Sequence, residues 1–373
     1  MNKEKRKRIL SAIALCTASA SLLVTTSCGK PGGKKKSKIA VITKNKDVSF
    51  WEDVKNGAEA AGKELGFDIL YTAATGDNDF SSQVSAINDA IDEKVDAIII
   101  APNGRTELNE ALQKAEAADI KIININSRVE DYKGSIPLVS SSDYDGGSVA
   151  ARYAADGVLL SSTIRTAMQQ KGNNDFTKIA ELGRGAVAII PHTATTADNR
   201  VKGFKESTRT EVERQLKEDD VDIASFNVSA ETLNAMFDRF FVVGEKCAKP
   251  EDARAEAEKI LAAKDCNVKC FFTTNTNTTL GVCEAIEAAG KQDEIYVIGF
   301  NADEKELAFL KNNVLDGTVV QNPYNMGYVG VRFAKKAING ENVPLTLDTG
   351  VTWVDQNNMN EEYIQLLLHP ENY

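Results

Sequence analysis

The sequence predicts an α/β protein of two lobes, each a doubly wound parallel sheet. Three observations carry this reading. The chain is 373 residues long, more than one ordinary core accommodates and comfortable for two. Its strand candidates are near-continuous apolar runs, which belong to parallel strands covered on both faces. Those runs alternate with amphipathic stretches of helical spacing, and the alternation restarts after Ser140, as repeated βαβ units would.

In the first half the strands are Ile39–Thr43, Phe67–Tyr71, Val95–Ala101 and Ile120–Ile125. Between them the spacing predicts helices at Phe50–Leu65, Phe80–Asp92 and Thr106–Ala118. In the second half strands are expected at Ala186–Ile190, Phe240–Val243, Lys269–Thr273 and Ile295–Gly299, with helices at Thr196–Thr208, Pro250–Ala263 and Leu280–Ala289. Segment 161–178 is polar, and segment 206–238 is charged with a helical pattern. Both exceed what a crossover requires, so they read as surface elaborations of the second lobe. Ligands of such sheets sit beyond the carboxyl ends of the strands, which places an expected site in the cleft between lobes.

With 42% hydrophobic, 26% charged and 7% aromatic residues, the chain is not disordered, collagen-like or a multi-span membrane protein. Residues 1–27 hold five basic side chains (Lys3, Lys5, Arg6, Lys7, Arg8) against Glu4 alone, so their loss would take the net charge from −10 to −14. A nucleic-acid binder needs a concentrated basic face. The one dense run left is Lys34-Lys35-Lys36, and no nucleic-acid partner is expected.

Met1–Arg8 is a basic head and Ile9–Val24 an apolar stretch, shorter than the ~20 residues of a spanning helix. Small residues then lead to Ser27-Cys28. A basic head, a short apolar core and small residues before a cut site describe an export signal. The cysteine makes it resemble a bacterial lipoprotein signal, although Thr25 stands where the common pattern has a leucine. That resemblance implies removal of residues 1–27, lipidation of Cys28 and a tether over 28–37. Cys247, Cys266, Cys270 and Cys283 remain; their pairing is not deducible from sequence, and buried free thiols are the default. With only His192 and His369 in the chain, no metal site is expected.

Catalytic signatures are missing. There is no Gly-x-Ser-x-Gly elbow, no phosphate loop, no Gly-x-Gly-x-x-Gly after the first strand and no His-Glu-x-x-His. His192 would be the obvious base of any enzyme, but the expectation is a binding protein.

The residues just past the strand ends carry a further signal. Phe50-Trp51 leads into Gly57-Ala58; Val95–Pro102 ends the third strand; Arg200-x-x-Gly203-Phe204 opens a helix. Gly299-Phe300-Asn301 and Gly317–Pro323 follow. In this order and spacing, across roughly Lys38 to Leu368, they resemble the type I periplasmic sugar-binding family. The resemblance implies two Rossmann-like lobes joined by a three-strand hinge, with crossovers near Pro137–Ser142, Thr318–Pro323 and Thr349–Val351. The lobes would be 38–139 plus 322–349, and 140–321 plus 350–373.

The resemblance also implies a site. Phe50 and Trp51 would cover the apolar face of a sugar. Arg200, Asn126, Asn275, Asn301 and Gln321 would meet its hydroxyls, because amides and a guanidinium hold several donors or acceptors in one plane. Lys44 and Ser142 are weaker candidates, and Asp198 and His192 add contacts if the loop from Pro191 to Arg200 reaches the cleft. Two departures bear on specificity: the ribose-type pattern carries carboxylates where this chain has Asn126 and Asn301, and Ala101 replaces a polar contact. Such a pocket would suit a ligand with fewer hydroxyls or one bearing negative charge. The function implied is capture of a sugar-like ligand by a monomer, without cofactor, for an ABC permease and ATPase; the alternative is a sensory module serving a membrane receptor. A repressor of this fold would need a DNA-binding helix pair where residues 1–37 offer an export signal.

Overall fold

Strand β1 (Lys38–Thr43) forms the inner part of the first sheet because all its residues after Lys38 are buried. The structure is a computed structural model describing residues 37–76, 78–155, 184–194, 196–218, 229–264 and 266–372. The expected export signal 1–27, Cys28, nearly all of the tether 28–37, and segment 161–178 lie outside the described residues.

Around β1 stand the parallel strands β2 (Asp68–Ala73) and β3 (Ala97–Ile100), then β4 (Lys121–Ile125), β5 (Leu138–Ser140) and β11 (Thr346–Asp348), in the order β11-β5-β4-β3-β1-β2. Successive side chains point to opposite faces. Ile39, Val41 and Ile99 therefore enter one core with Trp51 and Val54 of helix α1 (Ser49–Leu65). Ala40, Ile42 and Ile98 enter another, with Ile87 of α2 (Phe80–Asp92) and Leu112 of α3 (Asn109–Ala117). Burial on both faces is why these strands are apolar throughout.

The second sheet repeats the plan. Its order is β12-β10-β9-β8-β6-β7, from β6 (Val187–Ile190), β7 (Phe241–Val243), β8 (Cys270–Thr273), β9 (Tyr296–Phe300), β10 (Gly317–Gln321) and β12 (Val351–Asp355). Only β12 among these described strands runs antiparallel, against β10. Helices α4 (Asp143–Ala154) and α5 (Thr196–Glu218) cover one face of it; α7 (Pro250–Leu261), α8 (Thr276–Ala289) and α9 (Glu304–Lys311) cover the other. Helix α10 (Pro323–Ile338) returns to the first core, and α11 (Glu362–Leu368) packs on the second. The chain thus passes between sheets in three places: β5 to α4, β10 to α10, and β11 to β12.

Two expectations are corrected. Residues 206–218 are not a surface elaboration but the continuation of α5, with Thr208, Val212 and Gln215 buried along α4. Residues 230–238 form α6 (Ala230–Asp238), whose Leu233, Met236 and Phe237 fill the core; residues 219–228 lie outside the described ones. Helix α8 begins at Thr276, ahead of the expected Leu280, because Asn275 caps it reciprocally with Thr278. Threonines are weak helix formers, which hides this start in a propensity reading.

Glycines set how closely the helices cross. A Cβ at Gly203 would lie 2.1 Å from the Tyr144 carbonyl oxygen, and one at Gly147 2.1 Å from that of Arg200. Helices α4 and α5 therefore touch backbone to backbone at reciprocal glycines. Gly57 and Gly327 do the same for α1 and α10, at 2.0 Å from Tyr324 O and 1.9 Å from Val54 O. In thermal denaturation, Gly203→Ala is expected to cost about 1–3 kcal/mol through forced helix separation. Gly76→Ala, where nothing lies within 4 Å, should stay within about 0.5 kcal/mol.

Candidate functional site

The carboxyl ends of the strands in both sheets converge on one cavity. Lys44 follows β1, Asn126 follows β4, His192 lies just past β6, Asn275 past β8, Asn301 follows β9, and Gln321 ends β10. Phe50 and Trp51 come from the first turn of α1 and Arg200 from the first turns of α5. Val48, Ala194, Thr196, Thr276 and Asn277 complete the lining. The cavity offers about 60 Å³ to the centres of water-sized spheres, room for about four to six waters by that measure. That is the scale of one small polar molecule.

Each wall has a physical cause. Phe50 and Trp51 meet edge to face, 4.8 Å between centroids and at 76°, the favoured arrangement of aromatic pairs. The Lys44 ammonium lies 6.0 Å from the Trp51 ring centroid. Opposite stands Arg200, only 3% exposed. Its Nε donates to Asp143 Oδ1 at 2.9 Å and Nη2 reaches the same oxygen at 2.8 Å. Nη1 donates to the Thr274 carbonyl at 2.6 Å, and the guanidinium plane lies 3.8 Å from the Phe300 centroid. Of the five N–H donors of a guanidinium, these contacts use three, and the side chain lines the cavity. Burial raises the pKa of the Asp143 carboxyl and lowers that of Arg200, while the two-point contact opposes both shifts.

His192 is held from both ring nitrogens: Nδ1 lies 2.7 Å from Thr274 Oγ1 and Nε2 2.9 Å from Thr196 Oγ1. Burial, then the cations Arg200, Lys44 and Lys246, keep it neutral far below the ordinary histidine range. It is a wall group locked by two threonines.

Asn126 and Asn301 occupy the same place in the two sheets, each directly after the third strand in the order given above. Both are left-handed, with φ of 61° and 85°. That conformation costs most L-residues about 1–2 kcal/mol, and Asn and Asp are the usual exceptions. Asn301 Nδ2 donates to Thr276 Oγ1 at 3.3 Å, and its Oδ1 accepts from Gln321 Nε2 at 2.9 Å. Asn275 Oδ1 is taken by the cap of α8, accepting from Thr278 N at 3.0 Å, which leaves its amide nitrogen for the cavity.

Two expected contacts stand elsewhere. Ser142 and Asp198 line an adjoining, wider opening of about 720 Å³ rather than the cavity. Ser142 caps α4 by accepting from Asp145 N, and its own N–H donates to Asp348 Oδ1 at the hinge. Asp198 is drawn outward by Lys246, at 2.6 Å, and by Arg105 of the first lobe, at 3.3 Å. The important residue that sequence reading missed is Asp143. A buried arginine requires an anion, and the acid directly after Ser142 at an expected crossover is the signal that would have found it. The cysteines Cys247, Cys266, Cys270 and Cys283 are all free thiols, Cys266 exposed and the others buried. Among the described residues no group of three or more His, Cys, Asp or Glu gathers to hold a metal, and no helix is long and apolar enough to cross a membrane.

A family model for the periplasmic binding protein domain matches residues 39–342, and the chain belongs to that family. It is 26% identical to the ribose import binding protein RbsB of Bacillus subtilis over 92% of this chain and 96% of that one. It is 22% identical to the D-allose-binding periplasmic protein of Escherichia coli, over 83% and 87%. A carbohydrate transporter solute-binding protein from Agrobacterium radiobacter, solved with D-arabinose, superposes with a TM-score of 0.69 at 26% identity, covering 90% of this chain and 99% of that one. These relatives are sugar-binding transport proteins rather than enzymes, and the family implies a location outside the cytoplasm.

Glu306 is fully buried; its Oε2 accepts from Asp303 N at 2.9 Å, and its Oε1 has no partner within hydrogen-bond geometry among the described residues. Burial, then the Asp303 charge, pushes this carboxyl up to about 8 from an ordinary 4.5. A folded-state pKa above the unfolded one means that the folded state holds the extra proton between those values. The associated stability is full below about pH 4.5 and is lost as pH rises through 8. Thermal melts of Glu306→Gln should therefore lose less stability than wild type between pH 5 and pH 9, by on the order of a few kcal/mol. An unchanged pH profile would show that Glu306 is already ionised.

Proposed function

We propose that this chain is an exported, lipid-anchored substrate-binding protein that captures a monosaccharide or similar small polar ligand and delivers it to an ABC importer. The observation that carries the reading is the convergence of Lys44, Phe50, Trp51 and Asn126 from one lobe with Arg200, Asn275, Asn301 and Gln321 from the other on one cavity. A sugar presents an apolar C–H face and a rim of hydroxyls. The Phe50–Trp51 pair suits the first, and planar amides with the guanidinium suit the second. The relatives named above, described as binding ribose, D-allose and D-arabinose, support a sugar-like ligand here.

Because the lining is split between lobes joined by three crossovers, a ligand that bridges them stabilises the closed arrangement over the open one. An importer would recognise that closed state. Cys28, lipidated after removal of residues 1–27, would hold the protein at the membrane through the tether 28–37; Asp198 and Ser142, at the wider opening, belong to the approach rather than to the contact set.

Differential scanning fluorimetry over a panel of monosaccharides tests the reading. At about 100-fold excess over its dissociation constant, a true ligand stabilises the fold by ~2.7 kcal/mol. The same sugar should give no shift with Trp51→Ala or Arg200→Met variants whose unliganded circular dichroism matches wild type. No shift with any sugar would contradict the proposal.

A further inference from the structure

The chemistry of the lining narrows the ligand class. Among the described residues no Asp or Glu lines the cavity, whereas two cations do, Lys44 and Arg200. Asp143 stands behind Arg200, against the side that carries Nε. Lys44 keeps a partner of its own within the chain, and its ammonium nevertheless closes the wall beside Trp51. His192 is neutral and engaged at both nitrogens.

The amides follow the same bias. Asn275 spends its oxygen on the α8 cap, leaving N–H donors. Asn301 Oδ1 gives one of its two lone pairs to Gln321 Nε2. Arg200 keeps two N–H donors. Against these, side-chain amide acceptors remain at Gln321 Oε1, at Asn126 and at Asn277, whose Nδ2 is tied to the Ala248 carbonyl. Each hydroxyl of a neutral sugar carries one donor and two acceptor sites, so its lone pairs can meet these N–H groups while its own O–H groups find fewer acceptors. A carboxylate is acceptor-only, with about four lone-pair sites, and its hydrogen bonds to charged donors are roughly twice as strong as neutral ones.

The left-handed backbone after β4 and after β9 accepts Asn or Asp. At both equivalent positions this chain carries the uncharged member, Asn126 and Asn301. The backbone therefore does not explain the choice. From the acid-free, donor-rich lining we infer that the ligand is an anionic sugar, one bearing a carboxylate on its ring or chain. This rests on the sugar-binding reading above and specifies it.

Isothermal titration calorimetry at neutral pH with matched pairs tests the inference: D-galacturonate against D-galactose, D-glucuronate against D-glucose, and D-ribonate against D-ribose. At least one acid should bind about tenfold or more tighter than its neutral partner. Lys44→Met should reduce the affinity for the acid more than for the neutral sugar, and Asn126→Asp with Asn301→Asp should reverse the preference; circular dichroism establishes that each variant is folded. If the neutral member of every pair binds as tightly or more tightly, the inference is overturned while the sugar reading stands. If no member binds, and none in the wider monosaccharide panel does, both are overturned.

Discussion

The buried pair of Arg200 and Asp143 is the constraint around which the site is arranged. A guanidinium that is 3% exposed cannot stand in a protein interior without an anion and hydrogen-bond acceptors. Removing one partner of such a pair typically costs about 3–5 kcal/mol, because it strands the other charge. Asp143 meets the guanidinium from α4, the Thr274 carbonyl from the end of β8, and the Phe300 ring from the end of β9. Three elements of one lobe thereby fix the orientation of the two N–H groups that remain for a ligand.

That arrangement depends on helices that approach unusually closely. Asp143 opens α4 and Arg200 lies in the opening turns of α5; their side chains meet because Gly147 and Gly203 let the two backbones touch. The first lobe uses the same device at Gly57 and Gly327, which seats α10 against α1 and fixes the helix start bearing Phe50 and Trp51. Packing and binding are thus linked through four residues without side chains. The topological likeness of the two sheets extends to their functional ends, where Asn126 and Asn301 turn the chain through the same left-handed conformation.

The strands were legible because burial on both faces makes runs such as Ile98–Ile100 and Val187–Ile190 apolar throughout. Helix α2 was legible to the residue, since its apolar spacing is uninterrupted and Asp79 caps it. What hid was of three kinds. Strands β5 and β11 have three residues each, too few to show a period. Helix α4 carries Gly146 and Gly147, which read as breakers and serve instead as contact points. Asp143 hid because its importance comes from a partner 57 positions away, a proximity only the folded chain reveals. In the same way Asn275 was legible as a strand-end amide, while its service to the α8 cap appears only with the hydrogen bonds in view.

A double-mutant cycle on Asp143 and Arg200, read as affinity for the sugar that most stabilises the wild-type protein, tests the central claim most directly. Asp143 lines the wider opening rather than the cavity, and it meets the cavity wall through Arg200. The account predicts that Asp143→Asn weakens binding about tenfold or more, that Arg200→Met does at least as much, and that the double variant is no worse than Arg200→Met alone, a large coupling between neighbours. Unchanged affinity in Asp143→Asn, or losses that simply add in the double variant, would contradict it.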